Sequence, residues 1–568
     1  PTTVISRTCD RTVKCLLFVP GFVLALATGQ APAQTPFATE IDGLFAEWNS
    51  ETSPGAAVAI VEKGEVVYKR HFGMASLEQN VPISSRTRFD LGSVSKQFTA
   101  MAVLMLEREG KLSLDDSIQM HLPELPPYEH PVRLRNLLHH TSGLWDYWQV
   151  LPYTGYRRQD YLDFDDVLKL LQRQKKLKFE PGTQWSYCNT NYVFLAEIVA
   201  RVTGESFADW TKKKILAPVK MWDSFAQSDC FALIPGRAEA YRTKDEGFTR
   251  DHQLNVDFAG QSHIFSTIED MVRWVDNFRS RALGGKMLMT GMTRKGRLND
   301  GSEIFYAAGL GVGKYRGAVT IGHSGSTGGF SSAMLYLPEF ELGIVILANV
   351  RSLDPEGKAH RMLDIYLKGR LEPLPMRVAR KWEPFIELDS AITRKYTGGY
   401  LMEGGEARFA LFHSGDRLMG AISGVGMDSF YPLSETEFST RNRKSRVTVQ
   451  TDDTGRALAV QIDLKGKRMR AARIEPDTTM EIPSAECAGK YYSDALGVVY
   501  ELTSREEGLV LSRRRMGERM LQYVDTDLYV GRPGFLSFYR DIEGQVRGFF
   551  LEDEVFGEGD VCFTKWMK

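Results

Sequence analysis

The residues with the clearest chemical potential are Ser93 and Lys96, in the run Phe89-Asp90-Leu91-Gly92-Ser93-Val94-Ser95-Lys96-Gln97-Phe98-Thr99-Ala100. A strand-like entry and a glycine lead into the serine. Positions i and i+3 share a helix face, so the Lys96 amine stands one turn above the Ser93 hydroxyl. An amine there can take the hydroxyl proton and activate a weak nucleophile. Unpaired backbone N–H groups at a helix start can hold a developing oxyanion. Taken alone, the pair also describes a capped, solvated helix start.

Two further stretches carry reactive groups. In Phe179-Glu180-Pro181-Gly182-Thr183-Gln184-Trp185-Ser186-Tyr187-Cys188-Asn189, a Pro-Gly turn enters a polar loop ahead of the apolar helix Val193 to Val202. Tyr187 and Asn189 lie two apart in extended backbone and point the same way. A phenol can shuttle a proton and an amide can bind a substrate carbonyl, although a loop anchor and a helix cap fit equally. The third stretch ends a β-rich run: Thr320-Ile321-Gly322-His323-Ser324-Gly325-Ser326-Thr327-Gly328-Gly329. Its glycines permit close approach by a ligand. His139 and His140 fall near the last carbonyls of a short helix ended by Ser142-Gly143, and Trp145, Tyr147 and Trp148 form either core or pocket wall.

These groups need a framework to bring them together. With 568 residues the chain exceeds one hydrophobic core, so two or three domains are expected. Ile41, Leu44, Phe45 and Trp48 recur at helical spacing in an amphipathic stretch, and Gly55 to Tyr68 reads as a hairpin around Lys63-Gly64. Ser266-Thr267-Ile268-Glu269-Asp270 caps a helix, and β-like runs follow at Ala308 to Tyr315, Ala318 to His323, Ser331 to Leu337 and Leu342 to Asn349. The pattern predicts an α+β domain, with helices packed beside an antiparallel sheet.

The tail repeats itself. Lys395-Tyr396-Thr397-Gly398-Gly399-Tyr400 recurs as Glu486-Cys487-Ala488-Gly489-Lys490-Tyr491, a step of 489 − 398 = 91 residues that also maps Leu418 onto Leu509 and Phe438 onto Tyr529. Each copy alternates short β runs with Gly/Asp turns, as a small closed sheet would. Neither copy carries a catalytic cluster, so gating of substrate and plain structural support are both open roles.

Composition narrows the partners. Lys+Arg number 71 against 72 Asp+Glu, a net charge of −1, which gives no support to nucleic-acid binding. The cysteines (9, 15, 188, 230, 487 and 562) show neither metal-ligand spacing nor a disulfide framework, so no metal and no cofactor is expected. Arg7, Arg11 and Lys14, the apolar run Cys15 to Ala27 and the Ala31-Pro32-Ala33 site predict an export signal over 1–33 and a periplasmic or secreted protein. No later apolar run reaches about 18 residues, so no membrane span is expected after signal removal.

Taken in order, Ser93-Val94-Ser95-Lys96, Tyr187-Cys188-Asn189 and His323-Ser324-Gly325 resemble the motifs of the serine β-lactamase and penicillin-binding protein superfamily, in its class C-like branch. Leu137-Leu138-His139-His140-Thr141-Ser142-Gly143-Leu144 adds to the likeness, and Asp146-Tyr147-Trp148 with Phe179-Glu180-Pro181-Gly182 is similar to the D-aminopeptidase forms. The resemblance implies a catalytic domain over 34–385 and two β-barrel domains over 386–480 and 481–568. It implies an acyl-enzyme on Ser93, with Lys96 or Tyr187 as base, Asn189 holding the acyl chain, and an oxyanion hole from the backbone of Ser93 and Ser326, beside Gly325. The substrate would be a small molecule or short peptide, with amides and peptides leading, esters or β-lactams as an alternative, and a non-catalytic cell-wall sensor as another. Oligomeric state stays open, a homodimer being one option.

His323 bears on the substrate. Lysine titrates near 10.4 and histidine near 6.5, so at pH 7 the imidazole is charged only about a quarter of the time. It anchors a carboxylate less well, which favours amides, N-terminal peptides or esters over penicillins. D-aminopeptidases also send a long loop from the last domain into the active site, whereas Tyr529 to Phe535 looks too short for that here.

Overall fold

The computed structural model describes residues 36–373, 384–474 and 485–566, apart from positions 246, 252–254, 405–406, 415, 423–425, 465, 507, 514, 526, 533, 554 and 557–560. The expected leader, 1–33, lies outside the described residues. So does the expected division at 480/481.

One antiparallel sheet of six strands organises the N-terminal domain. Its strands are β1 (Ala56–Glu62), β2 (Glu65–Phe72), β3 (Gly311–Tyr315), β4 (Ala318–Thr327), β5 (Phe330–Leu337) and β6 (Leu342–Ala348), in the spatial order β3-β4-β5-β6-β1-β2. The uninterrupted apolar sequence of β1 follows from cover on both faces. Ala57, Ala59 and Val61 pack into one cluster with Met271, Trp274 and Val275 of the helix Ile268–Ser280. Ala56, Val58 and Ile60 pack on the other side with Ile41, Met362 and Leu363 of the helices Pro36–Leu44 and Pro355–Tyr366. Antiparallel sheets often leave one face to water, whereas the central strands β5, β6 and β1 are buried on both, and exposed side chains such as Lys69 and Lys314 fall on the edge strands β2 and β3.

Two sequence expectations shift in detail. β4 continues through the glycine motif to Thr327, because Ser324, Gly325 and Ser326 pair with Ala333, Ser332 and Ser331 of β5. The helix Asn189–Thr203 begins before the apolar run at Val193, with Cys188 as its N-cap residue, so Asn189 already belongs to the first turn.

The tail forms two closed barrels of eight strands, Gly398–Arg473 and Gly489–Lys565. The 91-residue step is visible atom by atom. The buried Tyr400 hydroxyl donates to the Tyr396 carbonyl at 2.5 Å, and the buried Tyr491 hydroxyl donates to the Cys487 carbonyl at 2.8 Å. Among the described residues no helix is long and apolar enough to cross a membrane.

The second copy docks on the N-terminal domain. Phe556 meets Trp145 and Tyr153 with ring centroids 5.5 and 4.8 Å away. Tyr500 donates its hydroxyl to the Tyr153 carbonyl at 2.9 Å, and Arg515 pairs with Asp160 at 3.2 Å. The first copy packs on the second, with Ala410, Phe412, Met419 and Ala421 against Val524, Val530 and Phe535. Val530 and Phe535 flank the short connection noted in the sequence, which is a tight hairpin between Leu528–Gly531 and Gly534–Arg540 turned toward the first barrel.

Phe556 is 1% exposed, so Phe556→Ala should cost about 3 kcal/mol through the cavity it leaves. Thermal unfolding followed by tryptophan fluorescence would show the loss, and an unchanged melting temperature would contradict this docking.

Candidate active site

Ser93 sits on a single 3-10 turn, Gly92–Ser95, and the α-helix proper starts at Lys96 and runs to Arg108. Gly92 has φ of 53°, and a Cβ on it would stand 2.6 Å from the Ser326 backbone nitrogen. A Cβ on Gly325 would stand 3.0 Å from the Ser93 backbone nitrogen. The two glycines therefore let the serine turn press against β4, which brings the Ser93 and Ser326 nitrogens to one place. Ser332 locks the approach by donating its hydroxyl to the Leu91 carbonyl at 2.7 Å.

Lys96 is 0% exposed. Its Nζ donates to Ser93 Oγ at 3.1 Å, Asn189 Oδ1 at 2.9 Å and the Gln261 carbonyl at 2.8 Å. Burial pushes its pKa down to about 7, against the pull of the Asp146 carboxylate. The Tyr187 ring lies 4.9 Å from the same nitrogen, and its phenol faces the Ser93 hydroxyl. That phenol has no partner of strict hydrogen-bond geometry, and burial pushes its pKa well up. The amine and the phenol are thus driven in opposite directions, one toward giving up its proton and the other toward keeping it.

Asn189 links the amine to an acid. Its Nδ2 donates to Asp146 Oδ2 at 3.0 Å, while Asp146 Oδ1 caps the short helix Tyr147–Val150 by accepting from the Trp148 N–H at 3.1 Å. The aromatic cluster divides. Trp145 is core, whereas Tyr147 and Trp148 wall a cleft of about 290 Å³ that also exposes Ser93, Asn189 and Ser326.

His323 stands behind Tyr187, with ring centroids 6.1 Å apart, and its Nε2 meets the Tyr306 hydroxyl at 3.0 Å. Burial, then the charge of Lys96, drives its pKa down to about 4, so it is neutral at pH 7. The His140 ring lies tilted against Tyr187 with centroids 4.3 Å apart and is likewise held neutral by burial. The positive charges at the cleft are Arg158 and Arg351, both exposed on its rim. Among the described residues no group of three or more His, Cys, Asp or Glu side chains could hold a metal ion.

The seven residues singled out by sequence, Ser93, Lys96, Tyr187, Asn189, His323, Gly325 and Ser326, therefore meet at one place. Sequence reading missed four others. Asp146 and the Gln261 carbonyl hold Asn189 and Lys96, as described. Asp90 accepts from the Gly92 N–H at 2.9 Å and the His263 N–H at 3.2 Å, and its second oxygen meets His263 Nδ1 at 2.8 Å. Asp90 and His263 are each 4% exposed, and His263 has φ of 64°. One carboxylate thus ties the serine turn to the segment whose Gln261 carbonyl binds Lys96.

Asp90→Asn either sets its amide N–H against a His263 Nδ1–H or forces the tautomer whose buried Nε2–H has no partner, and should lower unfolding stability by about 1–3 kcal/mol. Chemical denaturation checks it, and a variant as stable as the parent would show that the pairing carries no weight.

Comparison with known proteins places the chain among relatives. The chain is similar to penicillin-binding protein 4* of Bacillus subtilis (strain 168), 28% identical over 415 residues, 70% of this chain and 90% of that protein. It is similar to a D-aminopeptidase of Brucella anthropi, 27% identical over 446 residues, 78% of this chain and 79% of that one. Among solved structures, the octameric penicillin-binding protein homologue from Pyrococcus abyssi aligns with a TM-score of 0.53 at 25% identity, over 76% of this chain and 99% of its own. The Beta-lactamase family model matches residues 41–367, the span that holds every residue of the cleft, and the chain belongs to that family.

Proposed function

We propose that the protein is an exported serine hydrolase that works through an acyl-enzyme on Ser93 and acts on small peptides or amides, in the manner of the D-aminopeptidases it is similar to. The observation that carries this reading is the Lys96 amine, 3.1 Å from Ser93 Oγ and shifted to a pKa of about 7. Half of such amines are neutral at pH 7 and able to accept a proton. Tyr187, whose phenol keeps its proton, is the weaker candidate for that task.

In the proposed cycle the neutral Lys96 takes the Ser93 proton as Oγ bonds to the substrate carbonyl carbon. The Ser93 and Ser326 N–H groups hold the oxyanion. The carbonyl reforms as the C–N bond breaks, and the leaving nitrogen takes a proton from Tyr187, which Lys96 replaces. Water then attacks the ester, gives its proton to Lys96, and the Ser93 hydroxyl is restored. The expected export rests on the leader at 1–33.

A second reading, hydrolysis of β-lactams or carboxylate-bearing esters on the same machinery, draws on Arg158 and Arg351, which supply at the rim the charge that His323 lacks. Side-by-side assay of D-alanine p-nitroanilide, a p-nitrophenyl ester and nitrocefin separates the two. The amide should lead in kcat/KM, and nitrocefin matching it would favour the second reading. Labelling with a fluorophosphonate should add mass to the peptide bearing Ser93, and Ser93→Ala should lose both the label and at least about a thousandfold in turnover. An unlabelled protein that turns over none of the three substrates would leave a non-catalytic binder of cell-wall peptides.

The amine also sets a pH dependence. Because the neutral form is the base, kcat/KM should rise about tenfold per pH unit toward a plateau above pH 7. Lys96→Arg, whose guanidinium stays charged, should abolish the activity. A profile flat from pH 5 to 9 would remove Lys96 from that role.

A further inference from the structure

A second hollow, of about 540 Å³, opens where the catalytic domain meets both barrels. The catalytic domain contributes Pro152 and Tyr153, the first barrel Met419 and Met427, and the second barrel Arg513, Arg519 and Arg532. Pro152 also lines the cleft that exposes Ser93, so the two hollows share a wall.

The three arginines differ from others in their barrel. Arg505 pairs with Glu518, Arg540 with Asp527 and Arg547 with Asp541. Among the described residues Arg513, Arg519 and Arg532 form no such ion pair. Arg513 donates to the Tyr153 carbonyl at 3.3 Å and the Tyr500 hydroxyl at 2.5 Å, and so is fixed in the domain junction. Arg519 donates to the Glu518 carbonyl at 3.3 Å. Arg532 stands at the tip of the tight hairpin Leu528–Arg540, exposed to the hollow. Two acids also line the space. Burial raises the pKa of Asp553, which is bonded to the Tyr153 phenol, and Asp428 accepts from the Ser429 N–H at 2.8 Å.

Three guanidiniums without ion-pair partners among the described residues outnumber the two acids around this concave, partly apolar space, and the excess favours an anionic guest. The methionines offer adaptable apolar contact for the chain leading to that group. We propose that this hollow is a distal subsite of the catalytic cleft, in which Arg519 and Arg532 bind a carboxylate at the far end of an extended peptide substrate, with Arg158 and Arg351 continuing the positive path along the cleft rim. The proposal rests on the peptide-hydrolase reading and extends it: the substrates it selects are acidic peptides.

The test uses the full chain carrying Ser93→Ala and two hexapeptides that differ only in their last two residues, Glu-Glu against Gln-Gln with an amidated end. By titration calorimetry at low salt the acidic peptide should bind about tenfold more tightly. The gap should close to about twofold or less in 0.5 M NaCl and in the Arg519→Ala/Arg532→Ala protein. Arg519→Glu/Arg532→Glu should turn the preference toward a Lys-Lys ending. Equal affinities for the two peptides, or a preference that survives loss of both arginines, would overturn the subsite, and so would inorganic phosphate displacing the acidic peptide at an affinity equal to its own. Turnover of D-alanine p-nitroanilide by the parent protein, measured in parallel, keeps the two readings apart. Turnover without acidic preference sinks the subsite alone, and acidic preference without turnover of any substrate sinks the hydrolase and with it the subsite's role in catalysis.

Discussion

An amine taken out of water is the constraint on which the rest of the site depends. A buried ammonium without partners is costly, and the charge either finds acceptors or gives up its proton. Lys96 does some of both. Its three acceptors come from three separate parts of the chain, the Ser93 turn, the first turn of the Asn189 helix and the segment at Gln261. To supply them, the serine turn must press on β4, the Asn189 helix must lie beside the Lys96 helix, and Asp90 must clamp Gly92 to His263. The sheet covered on both faces provides the rigid body against which those demands are met.

Neighbouring titratable groups are ordered by the same burial. His140 and His323 are stripped of charge, Tyr187 keeps its proton, and Lys96 alone lies near neutrality. Within the aromatic block behind the serine the histidines thus carry no charge and Lys96 carries it only in part, while full positive charge stands at the periphery, on Arg158, Arg351 and the arginines of the domain junction. Burial leaves the His323 imidazole less charged than the free histidine that the sequence argument assumed, and Arg158 and Arg351 are cations at the cleft that the argument did not include.

Local spacing made much of this legible. The i to i+3 separation placed Lys96 on Ser93, the turn at Lys63-Gly64 gave the first hairpin, and the 91-residue step gave two barrels whose buried tyrosines bond the same way. What stayed hidden depends on distance along the chain. The Asp90 and His263 contact joins residues 173 apart, and the Gln261 contact uses a backbone carbonyl that any residue would supply. Asp146 stood in plain view within a quoted motif, but only the fold shows that its acid reaches Asn189. Periodicity likewise could not show that the later of two similar barrels docks Phe556 and Tyr500 on Trp145 and Tyr153 of the N-terminal domain.

That inverted docking reaches into biosynthesis. A ribosome delivers the chain from its N-terminus, so the platform of Trp145 and Tyr153 is complete long before Phe556, which covers it, has been polymerised. During that interval the nascent protein carries an uncapped aromatic face, the kind of surface that holdase chaperones grip and that drives aggregation when they are scarce. A frameshift or stop codon late in the message would thus release a polypeptide that keeps Ser93 and Lys96 but leaves the Trp145 and Tyr153 face bare to quality control.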